Sequence, residues 1–184
     1  MTILLYIAAV AAANIVTAAT TPWDVGPFLI TWGTWFAAVT FVLRDVIQLR
    51  HGRRIAYVAI GAGLAVAAVS SALLGDTEAV VVASGLAFGL SESLDTEVFT
   101  RLRAGLPLRV GVSGVIGGAL DTSVFVIVGL SPLWSGIIPW SAVPNAILGV
   151  WLAKCLIQAL AAVSWKALER TLVGTDTEPP VRAV

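Results

Sequence analysis

Long runs of apolar residues alternate with short polar segments along the whole 184-residue chain. Spanning a bilayer core of about 30 Å takes roughly 20 apolar residues in a helix that rises about 1.5 Å per residue. Six runs reach this length, and each predicts a membrane-spanning helix: 3–20, 26–44, 55–74, 79–100, 108–130 and 142–165. The pattern therefore predicts an all-α integral membrane protein with six transmembrane helices.

The composition supports this interpretation and excludes soluble classes of protein. Hydrophobic residues make up 58% of the chain and charged residues 12%, whereas a soluble domain has roughly 25% charged residues. The mean hydropathy is +0.94. A soluble enzyme or a nucleic-acid-binding protein is therefore excluded. The chain has one cysteine, Cys155, and one histidine, His51, so we expect no disulfide, no metal site and no cofactor.

We interpret residues 1–172 as one six-helix transmembrane transporter domain. The first apolar run lacks the basic segment of a signal peptide, so we expect it to be retained as a span. The last residues, 173–184, are polar and contain Pro179 and Pro180. They predict a disordered cytoplasmic tail.

The basic residues lie on one side of the predicted membrane domain. Ten of the eleven follow the second, fourth and sixth spans, at Arg44, Arg50, Arg53, Arg54, Arg101, Arg103, Arg109, Lys166, Arg170 and Arg182. The opposite loops contain Asp24, Asp76 and Glu78, and no lysine or arginine. Because cytoplasmic loops are enriched in Lys and Arg, we expect both termini inside and a multi-pass protein of the cytoplasmic (inner) membrane.

Four charged residues lie well inside predicted spans, away from the span ends. Glu92 and Asp95 are in the fourth span, Asp121 in the fifth and Lys154 in the sixth. A charge at the bilayer centre costs at least about 2.5–3.5 kcal/mol, so such residues face the bundle interior and find partners. One interpretation is a structural ion pair between Asp121 and Lys154. However, three carboxylates face one ammonium, and the excess must be protonated, hydrated or matched by a ligand, which favours a functional polar cavity.

A short motif repeats on the fourth and fifth spans. Residues 94–99 (LDTEVF) recur 26 positions later as 120–125 (LDTSVF). Because residues three or four apart share a helix face, the two faces present Phe88, Glu92, Asp95 and Phe99, and Gly114, Gly118, Asp121 and Phe125. Two antiparallel helices that offer carboxylates and rings to one space are typical of a repeat-built transport site.

Other spans add polar candidates. Trp151, Lys154 and Gln158 share a face of the sixth span, and Asn14 in the first span is either a ligand contact or an interhelical hydrogen-bonding group. Close helix approach is predicted at two pairs of small residues, Gly85 with Gly89 and Gly114 with Gly118. The candidate substrate-binding residues are therefore Asp121, Asp95, Glu92, Lys154, Phe88, Phe99, Phe125, Trp151, Asn14 and Gln158.

Several of these segments together resemble one protein family. They are residues 41–45 with 52–54, residues 94–103, residues 113–125, and Lys154, where the family also has a lysine. Through them the chain resembles the YhhQ/VUT family of queuosine-precursor transporters over most of its length. The resemblance implies a six-helix importer of 7-deazaguanines, typically 7-cyano-7-deazaguanine. Family members usually have an amide three residues before each aspartate, whereas this chain has Glu92 and Gly118, so the ligand is left open.

The residue chemistry suits such a ligand. A guanine-like edge presents a ring N–H beside an amino group, and the carboxylate of Asp121 or Asp95 accepts both. Aromatic side chains stack on the faces of a base, and Lys154 donates to its carbonyl. We therefore expect a transporter, not an enzyme, that imports a queuosine precursor or related 7-deazaguanine through a cavity between the fourth, fifth and sixth spans. The expected partners are this nucleobase-like small molecule and the lipid bilayer, with no nucleic acid; a homo-oligomer is left open.

Two alternatives stay open. In the first alternative, the chain is a membrane subunit that binds a vitamin-like molecule and needs a separate energising module. Any use of ATP would then come from another chain, since this sequence contains no P-loop. In the second alternative, the chain is an intramembrane aspartyl protease with Asp95 and Asp121 as its catalytic pair. Neither aspartate lies in a Tyr-Asp or Gly-x-Gly-Asp context.

The charge bias predicts which end of the bundle is cytoplasmic. With Cys155 replaced by alanine, an Arg53→Cys variant should react with a membrane-impermeant maleimide only after cells are permeabilised, because arginine-rich loops stay inside. Labelling of this cysteine in intact cells would contradict the whole orientation.

Overall fold

The computed structural model describes residues 1–21 and 23–172. The described residues form six α-helices and a two-stranded antiparallel hairpin. In chain order these are α1 (Thr2–Ala19), β1 (Trp23–Val25), β2 (Phe28–Ile30), α2 (Gly33–His51), α3 (Arg53–Leu74), α4 (Glu78–Arg101), α5 (Leu106–Val124) and α6 (Val143–Leu172). A π-helical segment, Phe125–Leu130, continues α5. The predicted disordered tail, 173–184, lies outside the described residues.

Four helical stretches are long and apolar enough to cross a membrane: Thr2–Ala19, Arg53–Leu74, Leu106–Leu130 and Val143–Ser164. They confirm a multi-pass helical membrane protein. The helices α2 and α4 are of similar length but carry charged residues in their interiors, which lowers their hydropathy. Six spans with both termini inside therefore remain a prediction.

The hairpin replaces the predicted start of the second span at residue 26. Its strands pair Trp23 with Ile30 and Val25 with Phe28. They are joined at Gly26, whose φ of +60° favours glycine, and at Pro27, which cannot donate to a helix. The helix α2 therefore begins seven residues later than predicted, at Gly33.

The other end of α2 also differs from the prediction. The loop predicted after residue 44 is absent from the described chain, because α2 continues to His51 and stops at Gly52, whose φ is +82°. Arg44, predicted to lie in a cytoplasmic loop, is inside the helix with 0% of its surface exposed. The prediction that Arg44 lies in a loop is therefore wrong.

The bundle has two distinct ends. We call one the arginine end: it holds the α2–α3 junction, the α4–α5 connection and the start of α1, where Arg50 Nη1 lies 3.4 Å from Thr2 Oγ1. We call the other the hairpin end: it holds the β-hairpin, the α3–α4 connection and segment 131–142. At this end Phe28 packs on Gly149 of α6, where a Cβ atom would lie 2.7 Å from the Phe28 Cβ.

Small residues allow close helix packing at some of the predicted positions. A Cβ on Gly114 of α5 would overlap the Gln158 side chain of α6, as the small-residue pattern predicts. Gly85 is different, because within the described chain no heavy atom lies within 4 Å of its Cβ position. The prediction of close packing at Gly85 is wrong. An unpredicted close approach occurs at Gly129, where a Cβ would lie 2.7 Å from the Ala83 Cβ.

Gly129→Ala should lower the free energy of unfolding by about 1–3 kcal/mol, because a rigid Cβ on α4 leaves no room for the added methyl. The matched control is Gly85→Ala, which should be neutral or stabilising because alanine favours helix. Denaturation of the purified protein in detergent micelles measures both. Equal stability of the two variants would contradict the packing described here.

Candidate functional site

A cavity of about 200 Å³ lies among all six helices. Its lining extends to Thr31, Asp76 and Ile138 at the hairpin end, while none of the described residues of the arginine end lines it. Deeper in the bundle the lining is polar and aromatic, with Asn14, Thr34, Thr40, Phe41, Ser84, Phe88, Asp121, Thr122, Phe125 and Lys154. The cavity therefore reaches the hairpin end and stops within the bundle. It is broader than the predicted space between the fourth, fifth and sixth spans.

An ion pair between Asp121 of α5 and Lys154 of α6 lies in the cavity wall. Lys154 Nζ contacts Asp121 Oδ2 and lies 3.1 Å from Thr122 Oγ1. Ser91 Oγ lies 3.2 Å from Asp121 Oδ1. The Lys154 side chain is 4% exposed and that of Asp121 18%. The pair thus presents a carboxylate and an ammonium side by side, with the carboxylate the more accessible of the two.

Aromatic rings line the same cavity on several sides. Phe88 of α4 is held against Tyr6, with ring centroids 6.3 Å apart, and against Gly63, where a Cβ would lie 3.1 Å from the Phe88 ring. Phe125 opens the π-helical segment one turn beyond Asp121, and Phe41 comes from α2. The cavity therefore combines charged groups with the flat apolar surfaces that stack on planar ligands.

Asn14 of α1 is an interhelical hydrogen-bonding group, one of the two roles considered for it in sequence. Its Nδ2 donates to Ser70 Oγ at 2.6 Å and to the Ala67 carbonyl at 3.3 Å. The same residue lines the cavity. These bonds tie α1 to α3 and fix the amide at the cavity wall.

A second ionic cluster surrounds Arg44, between the cavity and the arginine end. Its guanidinium contacts Asp45 Oδ1 at 2.8 Å, Glu92 Oε2 at 3.2 Å and also Asp95 Oδ2. Gln48 Oε1 accepts from Arg44 Nη1 at 3.1 Å. We call Arg44, Asp45, Glu92 and Asp95 the Arg44 cluster; all four side chains have 0% exposure.

This cluster changes the charge balance expected from sequence. With Arg44 in a loop, the predicted spans provide one cation, Lys154, for the three membrane carboxylates. In the structure Glu92 and Asp95 bind Arg44 and are absent from the lining of the cavity within the described chain. Only Asp121 of the three acids is in the cavity wall.

Three other candidates lie outside the cavity lining and have packing roles. Phe99 packs with Val46 and Val110, beneath the Arg109 guanidinium at 4.1 Å from its ring centroid. Trp151 Nε1 donates to the Val115 carbonyl at 3.1 Å. Gln158 Nε2 donates to the Ala38 carbonyl at 3.1 Å. Each links two helices, as large or polar membrane side chains commonly do.

The cavity residues that sequence reasoning missed include Thr34, Thr40, Phe41, Ser84 and Thr122. A usable signal was present for Thr40, which lies four residues before Arg44 and so shares its helix face. Its hydroxyl lies 3.1 Å from Glu92 Oε1. Thr40 is therefore the contact between the cavity and the Arg44 cluster.

The two aspartates of the protease alternative, Asp95 and Asp121, bind different cations. Asp95 is bound to Arg44, and Asp121 is bound to Lys154. An aspartyl protease needs two carboxylates that share one proton. The described geometry therefore gives no support to the protease alternative.

Comparison with known proteins identifies the family of the chain. Residues 70–166, more than half of its length, match the family described as "putative vitamin uptake transporter". The chain belongs to this family. No curated protein and no solved structure matches it.

The matched region covers the end of α3 and reaches into α6. It therefore includes Glu92, Asp95, Asp121 and Lys154, whereas Arg44 lies before it. Family membership and the apolar helices agree on a multi-pass membrane protein of a transporter family. The match identifies the family and does not identify queuosine precursors as the substrate; that specificity is implied only by the resemblance.

The Asp121–Lys154 pair predicts strong coupling in a double-mutant cycle. Lys154→Met alone should lower the free energy of unfolding by about 3 kcal/mol, because it leaves a largely buried carboxylate without its cation. Combining it with Asp121→Asn should recover much of that loss, for a coupling of about 0.5–3 kcal/mol. Denaturation in detergent measures all four proteins. Strictly additive losses would show that the two side chains do not interact.

Proposed function

We propose that this protein imports a queuosine precursor or a related 7-deazaguanine base and binds it in the cavity described above. The observation that carries the proposal is the Asp121 carboxylate beside the Lys154 ammonium, in the wall of a cavity lined with aromatic rings. Membership of a vitamin uptake transporter family supports the class of function.

The chemistry of the wall complements the edge of a deazaguanine. The ring N–H and the adjacent amino group form two parallel donors, which Asp121 accepts. Lys154 donates to the neighbouring carbonyl in this proposal, which is supported by the contact of its ammonium with Asp121 and Thr122. Phe41, Phe88 or Phe125 supplies a stacking surface, and such stacking contributes about 1–3 kcal/mol per base.

The size of the cavity supports a small ligand. Pockets for drug-sized molecules have volumes of about 300–1,000 Å³, and this cavity has about 200 Å³. A bicyclic base with a short substituent suits this volume better than a nucleoside or a larger vitamin. Of the substituents that the sequence left open, the cavity volume favours the cyano and aminomethyl groups over the larger group of queuine.

The orientation of the cavity suits an importer. We propose six spans in the cytoplasmic membrane with both termini inside, so that the arginine end faces the cytoplasm. The cavity then extends to the outer side, and the Arg44 cluster lies between it and the cytoplasm. This arrangement corresponds to a state ready to receive substrate from outside.

Asp121→Asn should abolish uptake of 7-cyano-7-deazaguanine while the protein stays folded and inserted. The change keeps the side-chain volume but removes a charged acceptor, whose hydrogen bonds contribute about 1.5–3 kcal/mol, or about 10–150-fold in Kd. Calorimetric titration of the purified protein with guanine, 7-cyano-7-deazaguanine, its aminomethyl analogue and queuine measures the loss and identifies the preferred base.

The matched control is Glu97→Gln, which also removes a carboxylate from a helix of the bundle. Glu97 binds Arg53 and Tyr57 and lies outside the cavity lining, so its loss should leave the Kd unchanged. Undiminished binding by Asp121→Asn would contradict the proposed site. Failure of all four bases to bind the wild-type protein would contradict the proposed substrate class.

A further inference from the structure

The Arg44 cluster holds more negative charge than its cation balances. Three carboxylates, Asp45, Glu92 and Asp95, surround one guanidinium, and all of these side chains have 0% exposure. Burial of unbalanced charge is strongly disfavoured, because the lost hydration is not replaced by an opposite charge. The cluster is therefore short of positive charge and suited to binding a small cation.

Carboxylate oxygens of the Arg44 cluster and a neighbouring tyrosine hydroxyl are left without hydrogen-bond partners. Within the described chain, Asp45 Oδ2 and Asp95 Oδ1 have no hydrogen-bond partner. The hydroxyl of Tyr6 on α1, with 0% exposure, also has none and faces Glu92. A tyrosine hydroxyl can donate to an ionised carboxylate or accept from a protonated one, so Tyr6 can bind either form of Glu92.

The contact between Thr40 and Glu92 shows where a proton fits. Thr40 Oγ1 lies 2.7 Å from the Ala37 carbonyl and 3.1 Å from Glu92 Oε1. A hydroxyl has one proton to donate, and the shorter contact is the better site for it. With that proton on the Ala37 carbonyl, a protonated Glu92 donates to Thr40; when Glu92 is ionised, Thr40 donates to the carboxylate instead.

A proton fits this site better than a metal ion does. In the part of the chain that the structure describes, no three acidic, histidine or cysteine side chains are arranged to hold a metal. The Arg44 guanidinium already occupies the space between the carboxylates. A metal ion would have to share this space, whereas a proton binds directly to a carboxylate oxygen.

We propose that Glu92 is a proton-binding site that couples substrate import to proton entry. The proposal rests on the transport function proposed above. Thr40 lines the cavity and contacts Glu92, so a proton from cavity water reaches the carboxyl at the hairpin end. The proton is released to water when the arginine end opens, and no other group is consumed or formed.

Protonation of Glu92 changes the forces that hold the arginine end closed. Arg44 and Asp45 lie on α2, whereas Glu92 and Asp95 lie on α4. Neutralising Glu92 removes one of the two charge attractions between these helices and leaves the attraction between Arg44 and Asp95. In the closed cluster the proton offsets the excess negative charge, and water that reaches Glu92 when the arginine end opens favours the ionised carboxylate. The proton is therefore released on that side.

The charged and titratable groups around Glu92 come from several helices. Tyr6 faces it from α1, Arg44 and Asp45 from α2, and Asp95 from its own helix. On α5, Arg109 is stacked on Phe99 and Asp121 pairs with Lys154 of α6. On α3, Arg53 and Tyr57 bind Glu97. Of these groups, Glu92 is the acid linked to the cavity through Thr40.

The first test measures uptake of radiolabelled 7-cyano-7-deazaguanine into proteoliposomes, with and without an inward proton gradient. Wild-type protein and the control Glu97→Gln should be stimulated several-fold by the gradient. Glu92→Gln retains the side-chain shape but cannot exchange a proton, so its uptake should not respond. Full stimulation of folded Glu92→Gln, or no stimulation of a wild-type protein that does transport the base, would overturn the proposal.

The second test needs no substrate and therefore separates the proton site from the proposed function. Infrared difference spectra of the purified protein at two pH values should contain the carbonyl stretch of a titrating carboxyl. This band should disappear in Glu92→Gln and persist in Glu97→Gln. The proton site is overturned if the band is missing in the wild type or persists in Glu92→Gln, even if the base is bound.

A third variant guards against a Glu92→Gln protein that does not fold. Thr40→Val removes the hydroxyl but leaves Glu92 and the side-chain shape in place. It should move the pH midpoint of the infrared band, because the hydrogen bond that Thr40 shares with Glu92 is lost. An unchanged midpoint would contradict the role of the Thr40 contact and, with it, the path from the cavity.

Discussion

The need to neutralise a buried guanidinium governs much of this structure. Arg44 lies inside α2, with no exposure and with carboxylates from α2 and α4 around it. Removing such a charge from water is tolerated only with close ionic partners. The helices α2 and α4 are therefore held together at this level, and the cavity on one side of the contact does not continue to the arginine end.

The cavity itself depends on a second and separate pairing of charges. Asp121 and Lys154 join α5 to α6, and Ser91 extends the contact to α4. Because this pair balances itself, it can offer both an acceptor and a donor to a neutral ligand without an added ion. The excess negative charge lies in the Arg44 cluster, between the cavity and the arginine end. Ligand recognition and charge balance are thus divided between two sites that Thr40 connects.

Sequence periodicity predicted the helices and part of the cavity. Asp121, Lys154, Phe88 and Phe125 follow from apolar runs and from shared helix faces, and the structure places all four in the cavity lining. A shared helix face, however, indicates the side of the helix on which a residue lies, and does not indicate its position along the axis of the bundle. Phe99 therefore shared a face with Phe88 in sequence but packs closer to the arginine end, against Val110.

The misplacement of Arg44 has a different physical origin. A hydropathy window ends where charges begin, so the second span was cut at Arg44, the first of the two buried charges of α2. The partners of Arg44 on α4 lie 48 and 51 residues away in sequence, and only the folded bundle brings them together. The hairpin was missed for a local reason, since Gly26 and Pro27 stand within an otherwise apolar run.

The separation of Arg44 from its partners on α4 has a consequence for biogenesis. Four helical stretches are apolar enough to enter the bilayer on their own account, but α2 emerges from the ribosome with a cation that lacks two of its three carboxylates. Insertion of an uncompensated arginine is unfavourable. We therefore expect stable integration of α2 to wait until α4 has been synthesised, whereas α3, which lies between them in sequence, is apolar enough to enter on its own.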